Sequence, residues 1–205
     1  MVIALDLGSG NTCQNDIKKV EDMIDAIADV DSGKYEVVLK WQLFHSAPPN
    51  EPLKRDVFRH AYEYAADRGY KTTASFFDVD SMNFLLDFDV PFVKIANRTD
   101  LRPMAALIDS VPIWVSYQSS NKIGRRSLVK PLCCVSAYPA PIEAYERLFT
   151  SYHLTQGISD HTEGWELFNK YQPLRYECHF VLKHDKKNPD AGPFARTQKD
   201  LEVVL

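Results

Sequence analysis

Gly157-Ile158-Ser159-Asp160-His161-Thr162 is a short β-like run that ends in polar residues, and Tyr176-Glu177-Cys178-His179-Phe180 repeats that pattern further along the chain. Each histidine stands at or near the end of its run. The ends of neighbouring parallel strands lie at the same edge of a sheet, so two imidazoles placed there can converge on one divalent metal ion. Taken singly, each histidine is more often a hydrogen-bonded core residue. The pair therefore predicts a metal site only if the rest of the chain builds parallel strands around it.

Strand-like apolar runs recur along the whole chain and alternate with helical patterns. The strand-like runs cover residues 2–8, 35–44, 71–77, 91–97, 111–117, 132–137, 156–161 and 175–182. Helical spacing of apolar residues is found at 17–30, 53–68, 101–108, 141–152 and 164–171, in a short segment that begins at Asp80 or Ser81, and from 198 onward. Alternation of this kind is typical of parallel sheets. The number of runs favours an α/β fold, a (β/α)₈ TIM barrel, formed by one domain over residues 1–205.

The length of the chain constrains this barrel. A TIM barrel typically needs about 250 residues, whereas this chain has 205. Some helices are therefore expected to be short or missing, most visibly after Tyr117 and after Thr162. The rival architecture is an open doubly wound sheet, but Gly8-Ser9-Gly10 lacks the third glycine of the usual dinucleotide fingerprint.

Composition excludes several classes of function. The net charge of -4 gives no electrostatic reason to expect binding to nucleic acid or to an anionic membrane. No segment is suited to be a signal peptide or a membrane span. The chain has no Cys-x-x-Cys pair, and adjacent Cys133 and Cys134 are expected to be reduced and buried in an apolar run. These features predict a cytoplasmic protein.

Polar residues stand at the carboxyl ends of the predicted strands, where a barrel carries its functional groups. They are Asp6, Lys40, Gln42, Ser75, Lys94, Asn97, Ser116, Ser136, Tyr138, Ser159, His161 and His179. Buried polar groups are costly unless they are paired, so ligand binding would explain this set. A single serine is explained equally well by a hydrogen bond to the backbone.

Two lysines in this set are more informative than the serines. Lysine is rarely buried without an anion, so Lys40 and Lys94 could clamp a phosphate or carboxylate. One of them could instead form a Schiff base, or each could lie at a solvated rim. Asp160 could orient His161 or cap the following turn, and Asp190 could approach the same mouth from the loop after the last strand.

Several motifs match one enzyme family in order and approximate spacing over nearly the whole chain. They are Lys40-Trp41-Gln42, Pro91-Phe92-Val93-Lys94-Ile95-Ala96-Asn97, Cys134-Val135-Ser136-Ala137-Tyr138-Pro139-Ala140-Pro141, Ser159-Asp160-His161-Thr162, and Cys178-His179-Phe180 followed by Lys187-Asn188-Pro189-Asp190. With these motifs the chain resembles the sialic acid synthase family, which comprises N-acetylneuraminate synthases and related nonulosonate synthases. Each motif is weak alone, but together they are specific.

The resemblance implies a (β/α)₈ barrel that condenses phosphoenolpyruvate with an N-acylmannosamine-like aldose, using Mn²⁺ or Mg²⁺. The products would be a sialic-acid-like 2-keto-3-deoxy acid and phosphate. By this resemblance His161 and His179 would bind the metal, and Asp6 would join them as a catalytic residue. The residues implied in phosphoenolpyruvate binding are Lys40, Ser75, Lys94, Ser116 and Ser159. Those implied in the rest of substrate binding are Gln42, Ser136, Tyr138 and Asp190.

The chain also departs from the family pattern. Asp6 stands where the family has Glu, which shortens the reach of the carboxylate by about one methylene. Thr99 stands where the family has an acidic residue, Gly10-Asn11 replaces Asn-His, and Cys133 replaces His. The family's C-terminal antifreeze-like domain, which helps to close the sugar site of a partner subunit, is not in the sequence, and a homodimer is a further expectation. Two alternatives therefore stay open: a divergent aldolase or lyase on the same barrel, and a catalytically impaired binding protein.

Overall fold

Eight parallel strands close into a barrel in the computed structural model. The structure describes residues 1–45, 48, 50–118, 127–152 and 156–205, except for the side chains of 151 and 152. The strands are β1 (Val2–Asp6), β2 (Glu36–Leu43), β3 (Lys71–Phe76), β4 (Val93–Ile95), β5 (Ile113–Tyr117), β6 (Val129–Cys134), β7 (Gly157–Asp160) and β8 (Arg175–His179). Each strand pairs with the next in the chain, and β8 closes the barrel on β1. The expected TIM barrel is confirmed.

Helices connect most of the strands. They are α1 (Gly10–Cys13), α2 (Ile17–Ala28), α3 (Arg55–Asp67), α4 (Val79–Leu86), α5 (Ile142–Tyr152), α6 (Glu166–Tyr171) and α7 (Gln198–Leu201), with a 3₁₀ helix at Arg102–Leu107. The helix after Thr162 is short, as the length of the chain predicted. Among the described residues, no helix combines the length and apolar character that crossing a membrane requires.

Helix α2 shows how local sequence builds the outer layer. Asp16 caps the helix by accepting a hydrogen bond from the Lys18 backbone N–H at 2.9 Å. Met23, Ile24 and Ile27 recur at helical spacing and are fully buried. Burial of one such side chain stabilises the fold by about 1.5–3 kcal/mol, so this apolar face holds the helix against the barrel.

The structure differs from the expected elements in the type of one helix, the bounds of one strand and the presence of one further helix. The segment 101–108 forms a 3₁₀ helix with no buried residue of its own, and the buried residues Leu101 and Ile108 flank it. Strand β6 covers Val129–Cys134 rather than 132–137, because its pairing with β5 extends back through Pro131 and polar Lys130 to Val129. The short helix α1 was not anticipated. Part of the segment after Tyr117, residues 119–126, lies outside the described residues.

The interior of the barrel is apolar at its amino end. Phe92 and Trp114 stack there with ring centroids 3.8 Å apart, together with Ala4, Val38 and Leu132. Side chains along a strand alternate between its two faces, so the inward-facing residue two positions later lies one layer nearer the carboxyl end. The apolar cluster therefore places the polar strand-end residues above it, at the mouth of the barrel.

Candidate functional site

Every residue that the sequence placed in the site lines one cavity of about 680 Å³. These residues are Asp6, Lys40, Gln42, Ser75, Lys94, Ser116, Ser136, Tyr138, Ser159, His161, His179 and Asp190. Asn97, the remaining strand-end residue, also lines the cavity. The carboxyl ends of all eight strands converge on this mouth, which explains how residues distant in sequence meet there.

The floor of the cavity holds a buried group of four charges. Lys40 Nζ lies 2.7 Å from Asp6 Oδ2 and 3.3 Å from Glu177 Oε1. Lys94 Nζ lies 3.2 Å from Glu177 Oε2. Both lysines are thus buried rather than solvated at the rim, and each already has a carboxylate partner within the protein.

The sequence analysis missed Glu177. Alternation along β8 could have found it, because Glu177 stands two positions before His179 and therefore shares its inward face. Its residue type gave no such signal, because glutamate is almost always solvated unless it is paired. Only the closed barrel brings it between Lys40 and Lys94.

The pKa values of this group follow from its mutual charges. Burial by itself would raise the pKa of Asp6, but the charges of Lys40 and His179 outweigh it and lower the pKa to about 2. The pKa of Glu177 is also lowered, because Lys94 and Lys40 outweigh its burial. Burial opposes the charged form of Lys40, yet Asp6 and Glu177 raise its pKa above the ordinary value. At neutral pH the site therefore holds ionised carboxylates beside a protonated Lys40, which is not a free nucleophile.

The hydrogen bonds of His161 determine its tautomer. Its Nδ1 lies 2.7 Å from the Val135 carbonyl oxygen, which can only accept, so Nδ1 carries the proton and Nε2 keeps a free lone pair. Burial and the neighbouring His179 lower the pKa of His161 to about 3. His161 is consequently a neutral imidazole at physiological pH, the form that binds metals.

His179 lies opposite His161 at the mouth, with ring centroids 5.5 Å apart. Its Nε2 is 3.8 Å from Asp6 Oδ2, and its Nδ1 is 3.4 Å from Asp190 Oδ1. Among the described residues, that buried Nδ1 has no hydrogen-bond partner. A neutral imidazole beside a second one with an unsatisfied ring nitrogen fits a divalent metal, with further ligands supplied by water or substrate.

The loop after β8 brings a third carboxylate to the mouth. Gln42 Nε2 lies 3.1 Å from Asp6 Oδ2 and 3.2 Å from Asp190 Oδ1, so its amide bridges the two acids. Gly8 makes room for this approach, because a Cβ at Gly8 would lie 2.2 Å from Thr12 Oγ1 and 3.1 Å from Asp190 Oδ2. Gly8 also has a φ of 76°, which favours glycine. Burial raises the pKa of Asp190.

Aromatic rings flank the imidazoles. Tyr138 is 54% exposed at the rim, and its ring centroid lies 4.2 Å from that of His161. Phe194, which the sequence analysis missed, lies 5.1 Å from both Tyr138 and His179. On the same rim, Ser136 Oγ accepts a hydrogen bond from Asn97 Nδ2 at 2.9 Å. The two imidazoles therefore have an apolar wall on one side.

Two further positions from the sequence analysis lie apart from the cavity. Asp160 caps the turn after β7, accepting from the Thr162 N–H at 2.7 Å, and its other oxygen accepts from Tyr176 Oη and Arg196. Thr99 is exposed and is not among the residues that line the cavity. The neighbouring carboxylate, Asp100, pairs instead with Arg98.

A second group of possible metal ligands lies elsewhere. Among the described residues, His45, Asp78 and Asp80 have candidate ligand atoms within 4.8 Å of one another. His45 Nε2 lies 2.7 Å from Asp80 Oδ2, which also pairs with Arg55. None of these residues lines the cavity, and the arginine already neutralises one of the acids.

No protein-family model matches the chain, and no curated protein matches it. Several solved structures do match the chain. The N-acetylneuraminic acid (sialic acid) synthetase of Leptospira borgpetersenii superposes with a TM-score of 0.76 at 21% identity, over 98% of this chain and 80% of its own. A putative spore coat polysaccharide biosynthesis protein E from Chromobacterium violaceum gives 0.74 at 14% identity, over 98% and 72%. Spore coat polysaccharide biosynthesis protein spsE from Bacillus subtilis gives 0.75 at 18% identity, over 98% and 65%.

The chain has the fold of these three proteins. The match extends over nearly the whole chain and so includes all eight strands of the barrel. At these identities the likeness is one of fold. The chemistry must be argued from the side chains in the cavity.

Proposed function

We propose that this protein is a sialic acid synthase-like enzyme. It condenses phosphoenolpyruvate with an N-acylmannosamine-like aldose to give a nonulosonic 2-keto-3-deoxy acid and phosphate. The observation that carries the proposal is the joining, in one cavity, of two buried lysines, a row of strand-end serines and two facing imidazoles. The fold of the sialic acid synthetase and the sequence motifs support the same reaction.

The anion would bind at the floor of the cavity. Ser75, Ser116 and Ser159 are buried there beside Lys40 and Lys94. Among the described residues, Ser116 Oγ has no hydrogen-bond partner, although it is buried. A phosphate or carboxylate oxygen would accept its hydrogen bond and would meet the lysine ammonium groups, which bind such oxygens strongly in a water-poor site.

His161 and His179 would hold the metal, through Nε2 of His161 and a ring nitrogen of His179. The chemistry that a bound divalent ion supplies there is Lewis-acid polarisation of the acceptor's aldehyde oxygen. The Val135 carbonyl keeps the His161 ring oriented with Nε2 free. Tyr138 packs against His161 and Phe194 against His179, so aromatic rings line one side of the imidazoles.

Acceptor hydroxyl groups would meet Asp6, Gln42 and Asp190. The pKa of Asp6, about 2, keeps its carboxylate ionised, so it accepts hydrogen bonds and orients the sugar. Gln42 holds Asp6 and Asp190 at one separation by donating to both. Asp6 is also 3.8 Å from His179 Nε2, close enough to position the acceptor next to the imidazole pair.

The test is release of phosphate from phosphoenolpyruvate in the presence of Mn²⁺ and a panel of N-acylated hexosamines and shorter aldoses. Release should require an aldose and should fall by at least about 10²-fold in Lys94→Met, which removes one anion-binding charge. Absence of release with every aldose would refute the proposal. Metal binding without turnover would then favour a binding protein on the same fold.

The Schiff-base alternative has a separate test. Lys40 is held as a cation between Asp6 and Glu177, which disfavours attack of its amine on a carbonyl. Borohydride treatment with pyruvate should therefore leave the protein unmodified. A trapped adduct on Lys40 or Lys94 would favour the aldolase or lyase reaction instead.

A further inference from the structure

Arg196 joins the strand ends that carry the two histidines. Its backbone N–H donates to the His179 carbonyl at 2.7 Å, and its own carbonyl accepts from the Val181 N–H at 2.9 Å. Arg196 and Phe180 form a parallel β-bridge. The returning loop thus fixes the backbone at the end of β8, directly at His179.

The side chain of Arg196 reaches the end of β7. Its Nη1 donates to the Thr162 carbonyl at 2.8 Å, and its Nη2 lies 3.2 Å from Asp160 Oδ2. These two partners stand immediately before and after His161. One residue therefore holds His179 through its backbone and brackets His161 through its guanidinium.

Stability alone does not account for this arrangement. Arg196 is 1% exposed, and desolvating a charge is expensive enough that well-packed apolar residues often replace a buried ion pair without loss of stability. What the planar fork adds is a defined geometry between the end of β7, at Asp160 and Thr162, and the loop at Phe194 whose backbone continues into Arg196 and holds the end of β8. The ends of β7 and β8 are the segments from which the two imidazoles project, with ring centroids 5.5 Å apart.

We propose that Arg196 is a positioning residue that fixes the separation of the His161 and His179 imidazoles and thereby sets the affinity of the pair for a divalent metal. The inference rests on the metal pair of the proposed function. Residues that orient metal ligands change metal affinity by about 10- to 100-fold when they are replaced. Arg196 acts through the backbone on both sides of the site and does not touch the metal itself.

The test uses Co²⁺, whose visible absorption reports ligand geometry, and Mn²⁺, whose free fraction is measured by electron paramagnetic resonance. Arg196→Lys keeps the charge but loses the fork, and Arg196→Met removes the charge. The matched control is Tyr176→Phe. Tyr176 donates a single hydrogen bond to the same Asp160 oxygen, whereas Arg196 binds both Asp160 and the Thr162 carbonyl. Circular dichroism and thermal melting establish that each variant is folded.

Arg196→Lys should bind both metals about 10- to 100-fold more weakly than the native protein, with an altered Co²⁺ spectrum, while Tyr176→Phe keeps the native affinity and spectrum. A folded Arg196→Lys variant with native metal affinity and a native Co²⁺ spectrum would overturn the positioning role of Arg196 and leave the metal pair unaffected. Equal weakening in Tyr176→Phe would also overturn it, because general loosening would then explain the loss. Absence of metal binding by the native protein would overturn the metal pair and the positioning role together. If Arg196→Met does not fold, Arg196→Lys decides.

Discussion

Replacing Glu177 by Gln tests the charge balance of the cavity floor. The substitution keeps the shape of the side chain and removes one of two buried negative charges. Glu177 contacts Lys40 at 3.3 Å and Lys94 at 3.2 Å. At an effective dielectric constant of about 20, each contact corresponds to about 5 kcal/mol of Coulomb attraction before desolvation is subtracted.

The net loss of stability is smaller than the sum of these two Coulomb energies. Lys40 keeps Asp6 at 2.7 Å, whereas Lys94 keeps only the Ile95 carbonyl at 3.4 Å among its described hydrogen bonds. Removing one partner of a buried pair costs about 3–5 kcal/mol, because the other charge stays buried. Proteins are stable by about 5–15 kcal/mol, so Glu177→Gln should approach the limit of folding.

The affinity for an anion should increase in Glu177→Gln, although the stability of the protein decreases. In Glu177→Gln the floor of the cavity has one negative charge fewer beside the proposed phosphate position. Inorganic phosphate should therefore bind about tenfold more tightly, which corresponds to about 1.4 kcal/mol of binding free energy. Phosphate should therefore restore part of the lost stability. Urea unfolding followed by circular dichroism, with and without phosphate, measures both effects.

Glu36→Gln is the matched control. Glu36 pairs with Lys71 at 2.9 Å on the exposed surface, where an ion pair contributes less than about 1 kcal/mol. If Glu177→Gln is no less stable than Glu36→Gln, and phosphate binds no more tightly than to the native protein, the reasoning about the charged floor is refuted.

Two further predictions concern stability. The pKa of His161 falls from 6.5 in the unfolded chain to about 3 in the fold, so the unfolded chain binds the extra proton between these values. The free energy of unfolding should drop by up to about 1.4 kcal/mol per unit as pH falls through this window. His161→Gln should flatten the slope between about pH 4 and 6.5, and an unchanged slope would contradict the assignment. Trp114→Ala removes the ring stacked on Phe92 at a centroid distance of 3.8 Å. This variant should lose about 3–5 kcal/mol of unfolding free energy and keep its Co²⁺ affinity. A loss of unfolding free energy below about 1 kcal/mol would show that the amino end of the barrel collapses to fill the space.

Much of the architecture could be predicted from local pattern. Apolar runs of strand length alternating with helical spacing predict a parallel sheet, because each pattern reports which face of an element is buried, and eight such runs favour a barrel over an open sheet. The same pattern placed Lys40, Lys94, His161 and His179 at strand ends. The expected helix at 101–108 is a 3₁₀ helix, a type that the pattern could not predict, because helical spacing does not distinguish an α-helix that packs on the barrel from a 3₁₀ segment whose flanking residues are buried.

The contacts within the site were decided by tertiary structure. Glu177 lies between two lysines that precede it by more than eighty residues, Gly8 admits Asp190, and Arg196 spans the ends of β7 and β8. No local pattern encodes these partners, because they depend on barrel closure, strand register and the path of the last loop. The sequence thus determined which side chains reach the mouth, and the closed barrel decided which of them are paired with one another and which ring nitrogens remain free for a ligand.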